Sequence, residues 1–95
     1  MIVSVEDVRA HLRIEHDDED DYIEGLIKQA QAAAEDYCRV LFTEDDAPEP
    51  VRLAVMLMVS HYYENRDNPD RFVFRTMMAA FTSLLYPHRD VTLMF

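Results

Sequence analysis

The strongest constraint on the fold of this chain is a run of seven apolar residues from Leu53 to Val59. The run lies within a predicted helix over residues 51–65 and makes that helix apolar on every side. Such a helix must be covered by other elements on more than one side. Because the chain has only 95 residues, its other elements offer limited cover. We therefore expect part of this helix to contact a partner subunit.

A second long helix is predicted over residues 19–41. Apolar residues recur there at three- and four-residue spacing from Tyr22 to Leu41, which is typical of a helix with one solvated face. Gly25 lies inside this segment and costs a helix about 1 kcal/mol relative to alanine. We therefore expect another element to pack closely against Gly25.

The other segments carry helix boundaries and turn signals. Ser4 opens a capping-box-like sequence, weakened by an aspartate at its third position, and Pro87 should end the last helix. The predicted elements are a helix over 5–12, a loop over 43–50 with Pro50 as the first helical residue, a polar turn over 65–71, a helix over 75–86 and a β-prone apolar tail.

Together the patterns predict an all-α protein. We expect a compact bundle of three to four helices, two of them long and central, with an extended apolar C-terminal tail at about residues 90–95. With no room for a second core, residues 1–95 should form a single domain.

Negative charge is concentrated just before the second predicted helix, where six of the seven residues from Glu15 to Asp21 are acidic. Acids stabilise a helix start, and Asp17 or Asp18 is the expected cap. The net charge is −10 and the pI is about 4.6. This balance argues against a role in binding DNA or anionic membranes, because phosphate affinity depends on Lys and Arg.

Cysteine usage and hydropathy indicate the compartment. Cys38 is the only cysteine, so an intramolecular disulfide and a cysteine-based zinc cluster are excluded, and we expect it to be a small core residue. No secretory leader is visible, and the longest apolar run is far shorter than the roughly 20 residues that span a bilayer. We expect a soluble protein in the cell that makes it.

Candidate catalytic and metal-binding residues are few. The acids near His16 are consecutive and lack the glycine of a calcium loop, and His11 has no matching zinc ligand on its face, so no metal or cofactor is expected. In the segment His61–Arg66, His61 or Glu64 could act as a general base. No nucleophile, phosphate or oxyanion motif accompanies them. We therefore predict no enzymatic activity and a structural role for this segment: His61 and Tyr62 continue the apolar stripe, and Glu64 and Arg66 close the helix end.

Four segments of the chain form an ordered set. They are His11-Leu12-Arg13-Ile14 followed by the acids and Tyr22-Ile23; Glu35-Asp36-Tyr37-Cys38-Arg39; Pro50-Val51-Arg52 leading to His61-Tyr62-Tyr63-Glu64-Asn65-Arg66; and Leu84-Leu85-Tyr86-Pro87-His88-Arg89. In this order and at this spacing they resemble the small head–tail connector proteins of tailed bacteriophages and prophages. The resemblance covers about residues 3–89, with Cys38 where the family usually has a small residue and His88 where an aromatic is common.

The resemblance implies a non-enzymatic virion protein at the head–tail junction, made in the bacterial host cytoplasm. It implies a ring of about a dozen copies that extends the DNA channel below the portal. The implied partners are other copies of the chain, the portal protein and the next head-completion or tail protein. DNA would pass through the ring without specific binding, and no membrane is involved.

The residues suggest which surfaces would serve such a ring. The six methionines fit either ordinary core packing or an adaptable oligomer interface, and the sequence leaves both open. The candidate interface residues are Met56, Met58, Val91, Leu93, Met94 and Phe95. The candidate channel-facing acids, which would repel passing DNA, are Asp17, Asp18, Asp20 and Asp21. An alternative from another class is an acidic regulatory or DNA-mimic module that sequesters a basic partner.

Overall fold

The computed structural model describes residues 1–90, and within them the chain forms four α-helices. Helix α3 packs between α2 and α4, while α1 contacts α2 and α3. The predicted all-α bundle is confirmed. The predicted tail residues 91–95 lie outside the described residues. The helices are α1 (Val5–Leu12), α2 (Asp20–Cys38), α3 (Glu49–Glu64) and α4 (Arg71–Leu85), and a short 3₁₀ turn (Tyr86–His88) follows α4.

The apolar run in α3 is the centre of the core. Ala54, Val55 and Val59 are fully buried. Each buried valine stabilises the fold by roughly 1.5–3 kcal/mol relative to an exposed one. Leu53, by contrast, is 52 % exposed, and Met56 is only half-buried. The bundle therefore covers most of the run and leaves one strip of it at the surface.

The first helix is capped at Ser4. Ser4 Oγ accepts a hydrogen bond from the Asp7 amide at 3.0 Å, and Asp7 Oδ2 accepts one from the Ser4 amide at 3.1 Å. Both halves of a capping box are present. Aspartate at the third position therefore completes the box, as the capping-box-like sequence predicted.

The start of α2 differs from the prediction. Its N-cap is Glu19, with no side-chain capping bond, so the prediction that Asp17 or Asp18 caps the helix was wrong. The physical reason is a turn just before the helix, in which the Asp20 amide donates to the Asp17 carbonyl at 3.2 Å. This turn places both aspartates ahead of the capping position.

The end of α2 also differs, because Arg39 adopts the left-handed conformation with φ 60°. The helix stops at Cys38 and does not continue to residue 41, so Leu41 is 80 % exposed and not on the apolar face. Gly25 is exposed, and a Cβ built on it meets no atom within 4 Å. The expected close packing against Gly25 was therefore wrong.

The largest boundary difference is at α4, which begins at Arg71, four residues earlier than predicted. Asp70 caps it: its Oδ1 accepts hydrogen bonds from the amides of Phe72 at 2.8 Å and Val73 at 3.2 Å. At the start of α3, Pro48 is the N-cap and Pro50 is the second helical residue, one position later than expected. The earlier start of α4 brings its first aromatic residues into a helix.

The sulfur-containing residues are mainly core residues. Met58 is 5 % exposed and Met77 is 6 % exposed, whereas Met56 and Met78 are half-buried against the core. Cys38 is fully buried, with its Sγ 3.7 Å from the Leu85 carbonyl, as expected for a small core residue. Burial raises the pKa of the Cys38 thiol, which keeps it protonated.

Candidate assembly interface

Helix α3 has two different ends, and the first is closed by Arg52. This end, called the clamped end below, comprises residues 1–3, the loop 43–48 and the start of α3. Arg52 Nη1 donates to the Ile2 carbonyl at 2.5 Å, Nε donates to the Ala47 carbonyl at 3.3 Å, and Nη2 donates to the Glu44 carbonyl. One guanidinium thus joins three segments of backbone and seals the core beside it.

The other end of α3, called the open end below, leaves apolar side chains in solvent. Phe72 is 78 % exposed, Val73 is 40 % exposed and Phe74 is 39 % exposed, all in the first turn of α4. We call these three residues the apolar ridge. Consecutive helix residues point in different directions, so these side chains expose apolar surface on more than one side of the helix start. Exposed apolar surface is typical of a protein–protein contact.

One side of the ridge borders a groove of about 640 Å³ between α2, α3 and the start of α4, called the aromatic groove below. Its walls are held by ring contacts: the centroid of Phe74 lies 5.8 Å from that of His61 and 6.5 Å from that of Tyr62. The prediction that His61 and Tyr62 continue the apolar stripe is confirmed, since both are half-buried here. The groove is lined by Tyr22, Leu26, His61, Tyr62, Asn65, Arg66, Pro69, Asp70, Arg71 and Phe74.

A smaller groove of about 410 Å³ lies on the other side of His61, with Phe72 and Val73 on its rim. Ser60 also lines it and is 8 % exposed. Within residues 1–90 the buried Ser60 hydroxyl has no hydrogen-bond partner. A buried hydroxyl without a partner destabilises the fold, so Ser60 contributes less to stability than the buried apolar residues beside it in α3.

A polar brace fixes the open end to the start of α2. Glu19 accepts hydrogen bonds from the Tyr63 hydroxyl at 2.7 Å and from Arg66 Nη1 at 2.5 Å. The guanidinium of Arg66 also lies 4.3 Å from the ring centroid of Tyr63. The bond from Tyr63 and then that from Arg66 lower the pKa of Glu19, and the bond to Glu19 raises the pKa of Tyr63.

The brace corrects the role predicted for Arg66. Arg66 binds α2 and does not close the end of its own helix. Asn65 closes α3 instead: its amide donates to the His61 carbonyl at 3.0 Å, and its Nδ2 donates to the same oxygen at 2.8 Å. An asparagine one residue past the helix is a common way to satisfy such a carbonyl.

An exposed apolar surface on a small helical bundle agrees with what a comparison of the sequence with known families finds. The model of the phage gp6-like head-tail connector protein family matches residues 2–89. The chain belongs to this family. The resemblance seen in the four sequence segments is thus confirmed, and the chain is a structural phage protein of the head–tail junction. Searches of curated proteins and of solved structures found no match.

The acids predicted to face the channel of a connector occupy two environments. Asp17, Asp18 and Asp21 are exposed. Asp20 is partly buried, and its Oδ1 lies 3.3 Å from Arg9 Nε, which joins the start of α2 to α1. The first three acids are available to contact another molecule, whereas Asp20 contributes to packing of the two helices.

Other classes of site find little support in the part of the chain described. Over residues 1–90, no group of three or more His, Cys, Asp or Glu side chains is arranged to hold a metal ion. Likewise, none of the helices described there is both long enough and apolar enough to cross a bilayer.

Sequence reasoning missed three residues of this surface and its surroundings. Phe72 lies between the predicted turn over 65–71 and the predicted helix over 75–86, although Asp70 just before it is a good N-cap and could have signalled the earlier helix. Glu19 was not separated from the other acids, because only the fold brings it to Tyr63. At the clamped end, Arg52 was noted only in the resemblance, since the fold alone brings the Ile2 carbonyl, 50 residues away along the chain, to its guanidinium.

Proposed function

We propose that this connector-family chain is a subunit of a homo-oligomeric ring that joins the portal of a phage head to the tail and extends the DNA channel. It acts through protein–protein contacts and catalyses no reaction. The observation that carries this proposal is the exposure of the apolar ridge, led by Phe72 at 78 %. A subunit that remained monomeric in the virion would leave this surface in water.

The distribution of exposed apolar residues supports a ring in particular. The ridge lies at the open end, while Leu53 is exposed at the clamped end, beside Ile2 and Arg52. A closed ring needs heterologous interfaces, in which one face of a subunit meets a different face of its neighbour. Two unlike apolar surfaces at opposite ends of the bundle suit that requirement. Met56, half-buried beside Leu53, belongs to the second surface, whereas Met58 packs inside the subunit.

The remaining partners follow from the position of such a ring. One face would dock on the portal protein, and the other would receive the next head-completion or tail protein. We further propose that Asp17, Asp18 and Asp21 face the channel, where their charge keeps passing DNA from adhering. The chain would be made in the bacterial host cytoplasm.

Co-sedimentation with portal rings tests the proposed ring. The full chain and purified portal rings are mixed and separated by velocity sedimentation, and the expected result is a faster complex containing several copies of the chain. Phe72→Ser should weaken the association, while Ala79→Ser, exposed farther along α4, serves as the matched control. A chain that never joins portal rings, and instead binds a basic protein in a salt-sensitive way, would favour the acidic-mimic alternative.

Charge substitution tests the channel acids separately. The triple variant Asp17→Asn, Asp18→Asn, Asp21→Asn leaves Asp20 and its ion pair intact. We expect normal co-sedimentation with portal rings and reduced infectivity in a phage that carries the variant. The control removes an equal number of acids from the loop of the clamped end, at Glu44, Asp45 and Asp46. Equal infectivity of the two variants would contradict the channel assignment.

A further inference from the structure

We propose that the aromatic groove of one copy receives residues 91–95 of the neighbouring copy. This inference rests on the proposed function, because it requires copies to stand side by side. It identifies which two parts of the subunit form the ring contact. Three features support this contact: the apolar lining of the groove, the apolar composition of the segment, and the distance from residue 90 to the groove.

The groove suits an apolar peptide segment. Its walls are aromatic and aliphatic, formed by Tyr22, Leu26 and Phe74 together with Tyr62. A volume of about 640 Å³ is in the range of sites that bury small ligands or a few side chains. Tyr22 is 42 % exposed, so its ring gains cover when the groove is filled.

The segment Val91-Thr92-Leu93-Met94-Phe95 has the matching composition. It carries no charged side chain and offers leucine, methionine and phenylalanine to an aromatic wall. A methionine sulfur against an aromatic ring contributes roughly 0.3–1.5 kcal/mol beyond its burial. The acidic loop of the clamped end is a poorer occupant, because its carboxylates would approach Asp70 at the rim of the groove.

The distance from residue 90 to the groove shows whether residues 91–95 can fill the groove of their own copy or only that of a neighbour. The Asp90 amide donates to the Cys38 carbonyl at 2.8 Å, so residue 90 is fixed beside the last residue of α2. Tyr22 lies 16 residues earlier on that helix, about 24 Å away at 1.5 Å per residue. Five residues span at most about 18 Å when fully extended. Leu26, the other groove residue on α2, lies 12 residues before Cys38, about 18 Å away. A fully extended segment would therefore only touch the near edge of the groove of its own copy and could not fill it.

The contact is therefore head to tail. Residue 90 lies beside the end of α2 and the groove lies beside the start of α2, so each copy donates its segment to one neighbour and receives a segment from the other. When this contact is repeated from copy to copy, it gives the heterologous arrangement that can close into a ring.

Disulfide cross-linking within assembled complexes tests the inference. Two differently tagged full-length variants, Leu93→Cys and Arg71→Cys, are mixed, assembled on portal rings, collected by sedimentation and oxidised. Arg71 is exposed at the rim of the groove, and Cys38 is too buried to compete. The control partner is Gln29→Cys, which is exposed on α2 but outside the groove lining. Pro69→Cys replaces Arg71→Cys if that variant folds poorly.

The expected result is a cross-link between copies carrying Leu93→Cys and Arg71→Cys, about tenfold more abundant than with Gln29→Cys, since docking raises the local thiol concentration to the millimolar range. Complexes that sediment normally but cross-link equally with both partners would overturn the inference and leave the ring intact. So would a cross-link within single chains of the Leu93→Cys, Arg71→Cys double variant. Variants and wild type that all fail to sediment with portal rings would overturn the proposed ring itself.

Discussion

The two ends of α3 show opposite solutions to the same problem of covering a short, very apolar helix. At the clamped end, Arg52 binds three backbone carbonyls, and Ile2, Ala47 and Val51 are buried beside it. At the open end, Glu19 and Arg66 brace the helices from the outside, and the ridge stays in solvent. The comparison teaches that a 95-residue chain can complete its core at one end and reserve apolar surface for a partner at the other.

Removing the clamp should give the largest effect on folding. Arg52→Met keeps roughly the length of the side chain but leaves two partly buried carbonyls, those of Ile2 and Ala47, without their donor. We therefore expect a loss of about 2–3 kcal/mol in the free energy of unfolding. Arg52→Lys keeps the charge but lacks the planar guanidinium group, so its free energy of unfolding should lie between those of Arg52→Met and wild type.

Urea denaturation measures this loss, with Arg75→Met, on the exposed face of α4, as the control. If Arg52→Met and Arg75→Met had equal free energies of unfolding, the hydrogen bonds of Arg52 would not be what stabilises the clamped end.

At the open end, truncation of one exposed side chain should leave the stability of the fold nearly unchanged and weaken association with other copies. Phe72→Ser should alter the free energy of unfolding by less than about 0.5 kcal/mol, because the side chain is already exposed. Its affinity for portal-bound copies should fall about tenfold, or roughly 1.4 kcal/mol. Thermal unfolding and quantitative sedimentation measure the two quantities. A large loss of stability with unchanged association would reverse the roles given to the two ends.

Ser60 offers a smaller test of how well the open end is packed. Ser60→Ala removes a buried hydroxyl that has no partner within residues 1–90 and should stabilise the chain by about 0.5–1 kcal/mol. Urea denaturation detects a change of this size. Ser60→Thr is the matched control, because it keeps the hydroxyl and adds a methyl group. Destabilisation by alanine would mean that the hydroxyl does make a stabilising contact.

The polar brace should give the smallest effect, seen only in acid. The pKa of Glu19 is lower in the folded chain than in the unfolded chain, so its contribution is complete above the unfolded pKa. That contribution is lost as the pH falls through the lowered folded pKa. Wild type should therefore lose more stability than Glu19→Gln between about pH 5 and pH 3. Thermal unfolding at several pH values, with Glu64→Gln as control, measures the difference, and identical pH profiles would contradict the brace.

Much of the fold could be predicted from the sequence, because helix period and capping are local properties. The apolar run from Leu53 to Val59 determined the central helix, and Ser4 correctly marked the start of α1. The boundaries that failed were also local, but their signals are weak. Arg39 adopts the left-handed conformation that ends α2, but the usual sequence signal for it, a glycine, is absent at this position. Asp70 caps α4 but is one of several polar residues in a turn, so the sequence does not single it out.

The sequence by itself determined the helical class, the central position of α3 and, through the ordered segments around Arg52, His61 and Arg66, the family. Only the tertiary structure decided which apolar residues stay exposed and which polar residues join distant segments. The reason is that helix period assigns a face to each residue but does not state how far the neighbouring helices extend over that face. Because α2 ends at Cys38, before Leu41, and α4 begins at Arg71, just before Phe72, both of these apolar side chains remain in solvent.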